Sequence, residues 1–527
     1  MYKIKYIFYK LYGPAIISAI LLFLSFPKAD MYYLAWFALV PLLVFLYGKN
    51  RKESFKIGII FGVIFFFSTI YWIYYAISNF SSVSFVPSLI IVFLLALYLS
   101  IYPALFSVLY AIIIKSSHLP ALFIAPLLWT CLEFLRSYAL TGFPWSSLGY
   151  SQYNFLYFIQ IADITGIYGI SFLVCAFNGA ISDIFIIKKR VSERPLYSRI
   201  PTIGGFIILS VLLLGTFLYG HFRIKEQREG NNVRAAIIQG NIEQDKKWDE
   251  AFQDEVISVY KKLSLEASRF SPDIIVWPET AIPFYFGRDF NRTKDLLEFQ
   301  KKLNSYLLFG SVLIKEYEVD KKDIGSRAEY GYTNSAILLN KDGNLSYNYD
   351  KIHLVPFGEY VPLKKILFFI DKLVVGVGDF IPGKSYIKAD TPFGGFGTLI
   401  CYEIIFPGLV RKFYTNGGDF IINITNDAWF GKTDGPYQHF SMAVFRAVEN
   451  RKPVVRAANT GISGFIDSNG KILSTTGLFE RDFLVRDIKS DKTKTFYTKY
   501  GDIFSYLCIV STIILLITRI ELLLGGR

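Results

Sequence analysis

Phe396-Gly397-Thr398-Leu399-Ile400-Cys401-Tyr402-Glu403 decides the fold of the polar part of this chain. An apolar run of strand character ends on a thiol, and Pro407 opens a helical stretch over Pro407–Phe413. A side chain at such a strand-to-helix turn is displayed at the sheet edge beside free backbone N–H groups, as a nucleophile needs to be. Working outward, Trp277-Pro278-Glu279 closes one upstream β-type run and Tyr349-Asp350-Lys351 follows another. A carboxylate, an ammonium and a thiol at strand ends supply the base, the oxyanion partner and the nucleophile of acyl transfer. Each alone has a plainer role. A strand cysteine is usually a small buried hydrophobe, and single glutamates and lysines are usually solvated. Their order and setting argue for chemistry.

The residues around these motifs alternate strand and helix. Strands are expected at Val233–Gln239, Asp273–Trp277, Tyr306–Ile314, Asn334–Leu339, Gly397–Cys401, Phe420–Thr425 and Pro453–Ala458. Helices are expected at Glu250–Phe270, Arg292–Leu303, Pro407–Tyr414 and Gln438–Asn450, with a hairpin from Gly461–Gly470 and Lys471–Ser474. Asn416-Gly417-Gly418 should stop the third helix, because these residues tolerate left-handed backbone. Such alternation with short links predicts a layered α/β domain. No repeats or low-complexity tracts are seen in the sequence.

The rest of the chain has another composition. Of 527 residues 53% are hydrophobic, with 49 Phe and 36 Tyr, and the apolar ones crowd into 1–221 and 503–524. Runs near the roughly 20 residues a bilayer requires predict spans at 11–27, 31–48, 57–79, 87–114, 119–138, 163–187, 202–221 and 503–524. Basic residues fall in alternate loops: Lys3, Lys5 and Lys10; Lys49, Arg51, Lys52 and Lys56; Lys115; then Lys188, Lys189, Arg190, Arg194 and Arg199. The loops between hold only Lys28. The positive-inside rule therefore puts the N-terminus in the cytoplasm and the polar domain outside. It also accounts for the net charge of +13 without nucleic acid. The expected division is a seven-span region at 1–225, an extracytoplasmic catalytic domain at 226–495 and a last span within 496–527.

Cys131, Cys175 and Cys508 lie in apolar spans, so no disulfide framework is expected. His118, His221, His353 and His439 form no metal-ligand spacing, and neither metal nor cofactor is expected. His353 reads as structural. Glu133 and Arg136, one turn apart, read first as a structural ion pair and second as a substrate contact. The segment 364–375, two lysines followed by mostly apolar residues, reads as an interfacial arm or an amphipathic helix packed on its own domain.

Taken together, Trp277-Pro278-Glu279, Lys351 with Val355-Pro356-Phe357-Gly358-Glu359-Tyr360-Val361-Pro362, and Cys401-Tyr402-Glu403 resemble the nitrilase superfamily. With Thr425-Asn426-Asp427-Ala428-Trp429-Phe430, Gly142-Phe143-Pro144-Trp145, Gly149-Tyr150-Ser151-Gln152 and Arg446–Asn459, nearly the whole chain is similar to the bacterial apolipoprotein N-acyltransferase family. The resemblance implies an α/β four-layer (αββα) sandwich inserted in an eight-span bundle of the inner membrane. It implies transfer of a fatty acyl chain from a phospholipid donor to the diacylglyceryl-cysteine of an apolipoprotein acceptor. Cys401 would be the nucleophile, Glu279 the general base and acid, and Lys351 the oxyanion stabiliser, helped by the N–H of Tyr402. Glu359 would orient Lys351 or bond near the nucleophile, and Glu403 would hold the loop. Trp429 and the Tyr402 ring would either pack in the core or line an acyl pocket. A monomer acting within the lipid bilayer is expected. The residues alone leave two rivals, a membrane-tethered amidase with water as acceptor and a transporter with a sensing domain.

Overall fold

The computed structural model describes residues 2–81, 83–193, 200–227, 229–247, 249–317, 329–360 and 380–524. It divides into two compact units, one of Met1–Tyr74, Phe85–Glu226 and Lys499–Arg527, the other of Tyr75–Ser84 and Gln227–Thr498.

In the second unit the buried apolar runs become strands. They are β1 (Asn232–Gln239), β2 (Ile274–Val276), β3 (Tyr306–Tyr317), β4 (Glu329–Leu339), β5 (Leu345–Asp350), β6 (Lys388–Thr391), β7 (Gly394–Ile400), β8 (Phe420–Thr425), β9 (Val454–Ala458), β10 (Gly464–Ile466), β11 (Ile472–Thr475) and β12 (Asp482–Lys489). Two six-stranded sheets result, ordered β12-β1-β2-β3-β4-β5 and β11-β10-β9-β8-β7-β6. Each has three parallel strands at its heart, β1-β2-β3 in one and β7-β8-β9 in the other, with antiparallel strands outside. The two sheets thus share one pairing pattern, although the sequence carries no repeat. β1 touches β9 and β4 touches β7, so the sheets face one another. The helix Gln253–Ser268 lays Val256, Ile257, Tyr260, Leu263 and Ala267 onto Ala236, Ile238, Ile275 and Trp277 of the first sheet, in one apolar core. On the second sheet, Gly397 allows Phe413 of the helix Pro407–Thr415 to approach: an added Cβ would stand 2.9 Å from that side chain.

Most expected strands and helices are present, with three corrections. Leu345–Asp350, Lys388–Thr391 and Asp482–Lys489 are strands that the apolar pattern did not indicate. All three are paired on one side only or lie partly exposed, so they lack a continuous apolar face. The strand expected to include Cys401 ends at Ile400, because Cys401 turns left-handed. The segment 364–375, expected to form an arm, lies outside the described residues.

The first unit is built of apolar helices. Four among the described residues are long and apolar enough to cross a bilayer: Arg51–Ile70, Phe85–Ser116, Ile167–Arg190 and Thr202–Lys225. Others are shorter, including Tyr12–Leu24 and Ile503–Thr518. The run at 31–48, expected as one span, is broken into a 3₁₀ turn at Tyr32–Trp36 and a helix at Val40–Leu46. Pro41, which cannot donate to a preceding turn, starts the second piece. Backbone groups freed by the break are taken up by side chains. Asn178 Nδ2 donates to Ala35 O at 2.9 Å and its Oδ1 accepts from Leu39 N at 2.8 Å. Gln152 Nε2 donates to Tyr32 O at 3.0 Å. Such internal satisfaction is what apolar surroundings demand. Gly58 and Gly62, one turn apart, let Arg51–Ile70 meet the helix Ile101–Ser116 closely, since a Cβ on Gly58 would stand 2.5 Å from Ala104 Cα.

Glu133 and Arg136 tie down the loop after their helix. Glu133 Oε1 accepts from Leu148 N at 2.7 Å and Trp129 Nε1 at 2.9 Å. Arg136 donates to Phe143 O at 3.2 Å, Ser147 Oγ at 3.1 Å and Trp145 O. The expectation of a simple ion pair is therefore amended: the two charges mainly hold the 142–148 loop.

Candidate active site

β7 delivers its chain to Cys401, which opens the 3₁₀ turn Cys401–Ile405 with φ +52°. Left-handed backbone is costly for a residue with a Cβ and persists where neighbours enforce it. The thiol is 6% exposed and hydrogen-bonded to the Thr425 side chain. Burial pushes it well above its ordinary range and the charge of Glu279 adds to the effect, while Lys351 opposes it. Such a thiol rests protonated and needs a base to become a nucleophile.

Glu279 is three residues past β2 and is 6% exposed. Its Oε1 accepts from Asn334 Nδ2 at 2.7 Å and its Oε2 from Asn426 N at 2.9 Å. Lys351 follows β5 directly and is fully enclosed, with Nζ 3.6 Å from Glu279 Oε1. Closer to it is Glu359, 2.9 Å from Oε2 and 3.0 Å from Oε1. Burial alone would lower the lysine, but Glu359 and then Glu279 outweigh it and raise the ammonium above its usual range. Lys351 is therefore a permanent cation. Asn334 Nδ2 also donates to Glu359 Oε1 at 3.0 Å, and Val355 N to Glu359 Oε2 at 2.8 Å. Glu279, Lys351 and Glu359 thus form one charged line, hydrogen-bonded between Lys351 and Glu359 and bridged to Glu279 by Asn334, and both Glu279 and Lys351 act electrostatically on the thiol.

Glu403 fastens two loops together. Its Oε2 accepts from Ile400 N at 2.8 Å, and its Oε1 from Tyr349 OH at 2.7 Å, Ile352 N at 2.7 Å and His353 N at 3.1 Å. Even so, burial lifts its carboxyl to about 7. Tyr402 stacks edge-on with Phe406 at 5.1 Å. His353 sits against the same Phe406 at 3.9 Å, and burial, then the charge of Lys351, lowers it to about 4. Trp429 is half-buried, its ring edge-on to Phe80 at 4.7 Å.

Several buried polar residues meet this cluster without having been singled out. Asn334 joins the two glutamates, and Lys247 Nζ donates to Glu279 O at 3.0 Å and Thr280 Oγ1 at 2.6 Å. Behind Cys401, Asp427 accepts from Thr425 Oγ1 at 2.9 Å and Arg456 Nη2 at 2.8 Å, while His439 Nε2 lies 3.2 Å from Cys401 O. The available signals were Asp427 within Thr425-Asn426-Asp427 and Arg456 within Arg446–Asn459, both quoted above without a role. No group of side chains that could hold a metal occurs among the described residues.

Known proteins match the chain along its length. The family model "Apolipoprotein N-acyltransferase N-terminal domain" covers residues 18–180, and "Carbon-nitrogen hydrolase" covers 234–497. A protein of Geobacter metallireducens named apolipoprotein N-acyltransferase is 42% identical over 500 residues, 94% of this chain and 93% of that one. One of the same name from Wigglesworthia glossinidia brevipalpis is 35% identical over 88% of this chain and 89% of that one. Among solved structures, Saccharomyces cerevisiae Nit3, a nitrilase-superfamily member, matches 49% of this chain and 90% of its own at TM-score 0.37 and 20% identity.

Proposed function

This chain belongs to the apolipoprotein N-acyltransferase family, and on that premise we propose that it moves a fatty acyl chain from a membrane phospholipid to the α-amino group of an apolipoprotein's diacylglyceryl-cysteine, through a thioester on Cys401. In the first half, Glu279 takes the thiol proton as sulfur attacks the ester carbonyl. Lys351 and the Tyr402 N–H stabilise the oxyanion, and Glu279 returns the proton to the departing lysophospholipid oxygen. In the second half, Glu279 takes one proton from the incoming ammonium and releases it to solvent, the amine attacks the thioester, and as sulfur leaves Glu279 passes it the second nitrogen proton. Glu359 holds Lys351 in place, Glu403 fixes the nucleophile turn, and Trp429 and Tyr402 line the path of the acyl chain. The observation that carries this reading is the enclosed line of Glu279, Lys351 and Glu359 acting on a protonated, strained-turn thiol.

The setting we infer is the bacterial inner membrane, crossed eight times, with the N-terminus cytoplasmic and the domain of 226–495 outside as a four-layer αββα sandwich. The regions 1–225 and 496–527 would supply the spans of a monomer that binds no nucleic acid. The alternating basic loops support this orientation.

The test is mass spectrometry of the enzyme after incubation with phospholipid alone. The peptide containing Cys401 should gain one fatty acyl chain that hydroxylamine removes, and Cys401→Ala should gain nothing. Acyl label on another residue, or undiminished transfer by Cys401→Ala, would overturn the mechanism.

A further inference from the structure

Cys401 holds a left-handed turn that only its surroundings can impose. Its carbonyl oxygen lies 3.2 Å from Nε2 of His439, which is fully buried on the helix Gly435–Asn450. A carbonyl only accepts, so the contact is a hydrogen bond only if Nε2 carries the hydrogen. Burial, with the nearby Arg456 charge, lowers the His439 pKa, and the ring is neutral near pH 7. A neutral ring protonated at Nε2 has a lone pair on Nδ1, and Arg456 Nη2 stands 3.0 Å from that atom as a donor. Arg456 is itself held by Asp427 Oδ2 at 2.8 Å and by Asn423 Oδ1. Asp427 Oδ1, 3.0 Å from Nδ1, is then an electrostatic neighbour of the ring and accepts from Thr425 Oγ1 at 2.9 Å. Thr425 in turn bonds the Cys401 thiol. Both ends of the cysteine, carbonyl and sulfur, are thus referred to the single carboxylate Asp427.

We propose that His439, with its tautomer set by the Arg456 donor and the Cys401 carbonyl acceptor, is a positioning residue whose Nε2–H holds the Cys401 carbonyl and so aims the thiol for acylation. It touches no reacting atom and acts through Cys401. The inference rests on Cys401 as nucleophile.

The experiment uses the full chain in detergent and compares His439→Gln, His439→Asn and His439→Met. Glutamine can place an amide donor near the Nε2 position, asparagine is one methylene short of it, and methionine has the length without the donor. Acyl-enzyme formation is followed by intact mass at several phospholipid concentrations, beside melting temperatures. His439→Gln should keep most of the maximal acylation rate. His439→Asn and His439→Met should each lose on the order of 10²-fold, as displacement of a reacting group by about an ångström costs. The half-saturating phospholipid concentration should stay the same in all three. Either donor-less variant supplies the contrast if the other does not fold. Equal rates for Gln and a folded donor-less variant, whether both fast or both slow, would overturn the proposal. A Cys401→Ala control separates the readings: if it still acylates, the nucleophile assignment fails, and if it does not, only the His439 inference is at stake.

Discussion

Glu279 and Asp427 hold matching places in the two sheets. Each lies just past the middle strand of a parallel trio, β2 for one and β8 for the other, and each is buried. Their charges are answered differently. Asp427 has Arg456 at 2.8 Å and Thr425 at 2.9 Å, and against the cost of burial the Arg456 charge holds its carboxyl down at about 2. Glu279 has neutral amide donors at 2.7 and 2.9 Å, while the nearest cation stands off at 3.6 Å, in closer contact with Glu359. A fully paired buried carboxylate is a fixed anchor. Glu279, held closely by neutral donors and sharing its cation with Glu359, is the less firmly paired of the two, which suits the role of base proposed for it. One pairing pattern, used twice, thus carries a directly paired carboxylate in one sheet and the proposed base in the other.

The largest test of that contrast is Glu279→Gln. Acyl-enzyme formation should fall by about 10²–10⁴-fold, the usual worth of a general base. Melting should change little, because an amide fills the same space and at most one donor loses its acceptor, about 0.5–1.5 kcal/mol. Wild-type acylation by this variant would remove Glu279 from the chemistry. Asp427→Asn should show the opposite profile, losing about 3–5 kcal/mol of stability by leaving the enclosed Arg456 unpaired. A variant that melts normally yet cannot be acylated would break the comparison by moving Asp427 into the reaction.

The difference between the sheets also marks where sequence reading stops. β8 was legible to the residue because Phe420–Thr425 is enclosed throughout and apolar side chains dominate it. β5 was noticed only as a β-type run before Lys351, without bounds, and β12 was missed: both are largely exposed edge strands, and β12 takes its identity from β1, far away in the chain. At the candidate site, Glu279, Lys351, Glu359, Cys401 and Glu403 stood out because short motifs at strand ends carry them. Asn334, Lys247, His439 and Arg456 did not, since each is a buried polar residue whose side chain meets the cluster through partners at least 12 residues away in the chain. Nothing local distinguishes such a residue from a solvated one.

A smaller effect is expected at Glu403, which sits on neither side of the contrast. Four donors converge on its carboxylate, and Glu403→Gln must turn an NH₂ toward at least one of them. A loss of about 1–3 kcal/mol is expected, with acylation slowed because Ile400 N precedes the nucleophile directly. Unchanged melting and acylation would show that the loop is held by other contacts.

Lys247 gives the finest test, since it stands behind Glu279 as Arg456 stands beside Asp427, but without a carboxylate in contact. Its hydrogen-bond partners are two neutral oxygens, Glu279 O and Thr280 Oγ1, and burial lowers its ammonium to about 7 while the charge of Glu279 opposes this. An ordinary lysine titrates at 10.5, so between pH 7 and 10.5 the unfolded chain binds a proton that the folded one does not. Stability from this group therefore rises with pH through that window, and its cost is fully felt below pH 7. Lys247→Met removes the buried charge but leaves two oxygens without their donor, worth about 1–3 kcal/mol in the other direction. The net change near neutral pH should be small. What should differ is the slope: relative to wild type, the variant should be most favoured at pH 6.5 and lose that advantage by pH 9.5, read from melting temperatures of both proteins in detergent. Parallel curves across that range would mean that Lys247 titrates normally, and that the backbone of Glu279 is supported by an ordinary cation.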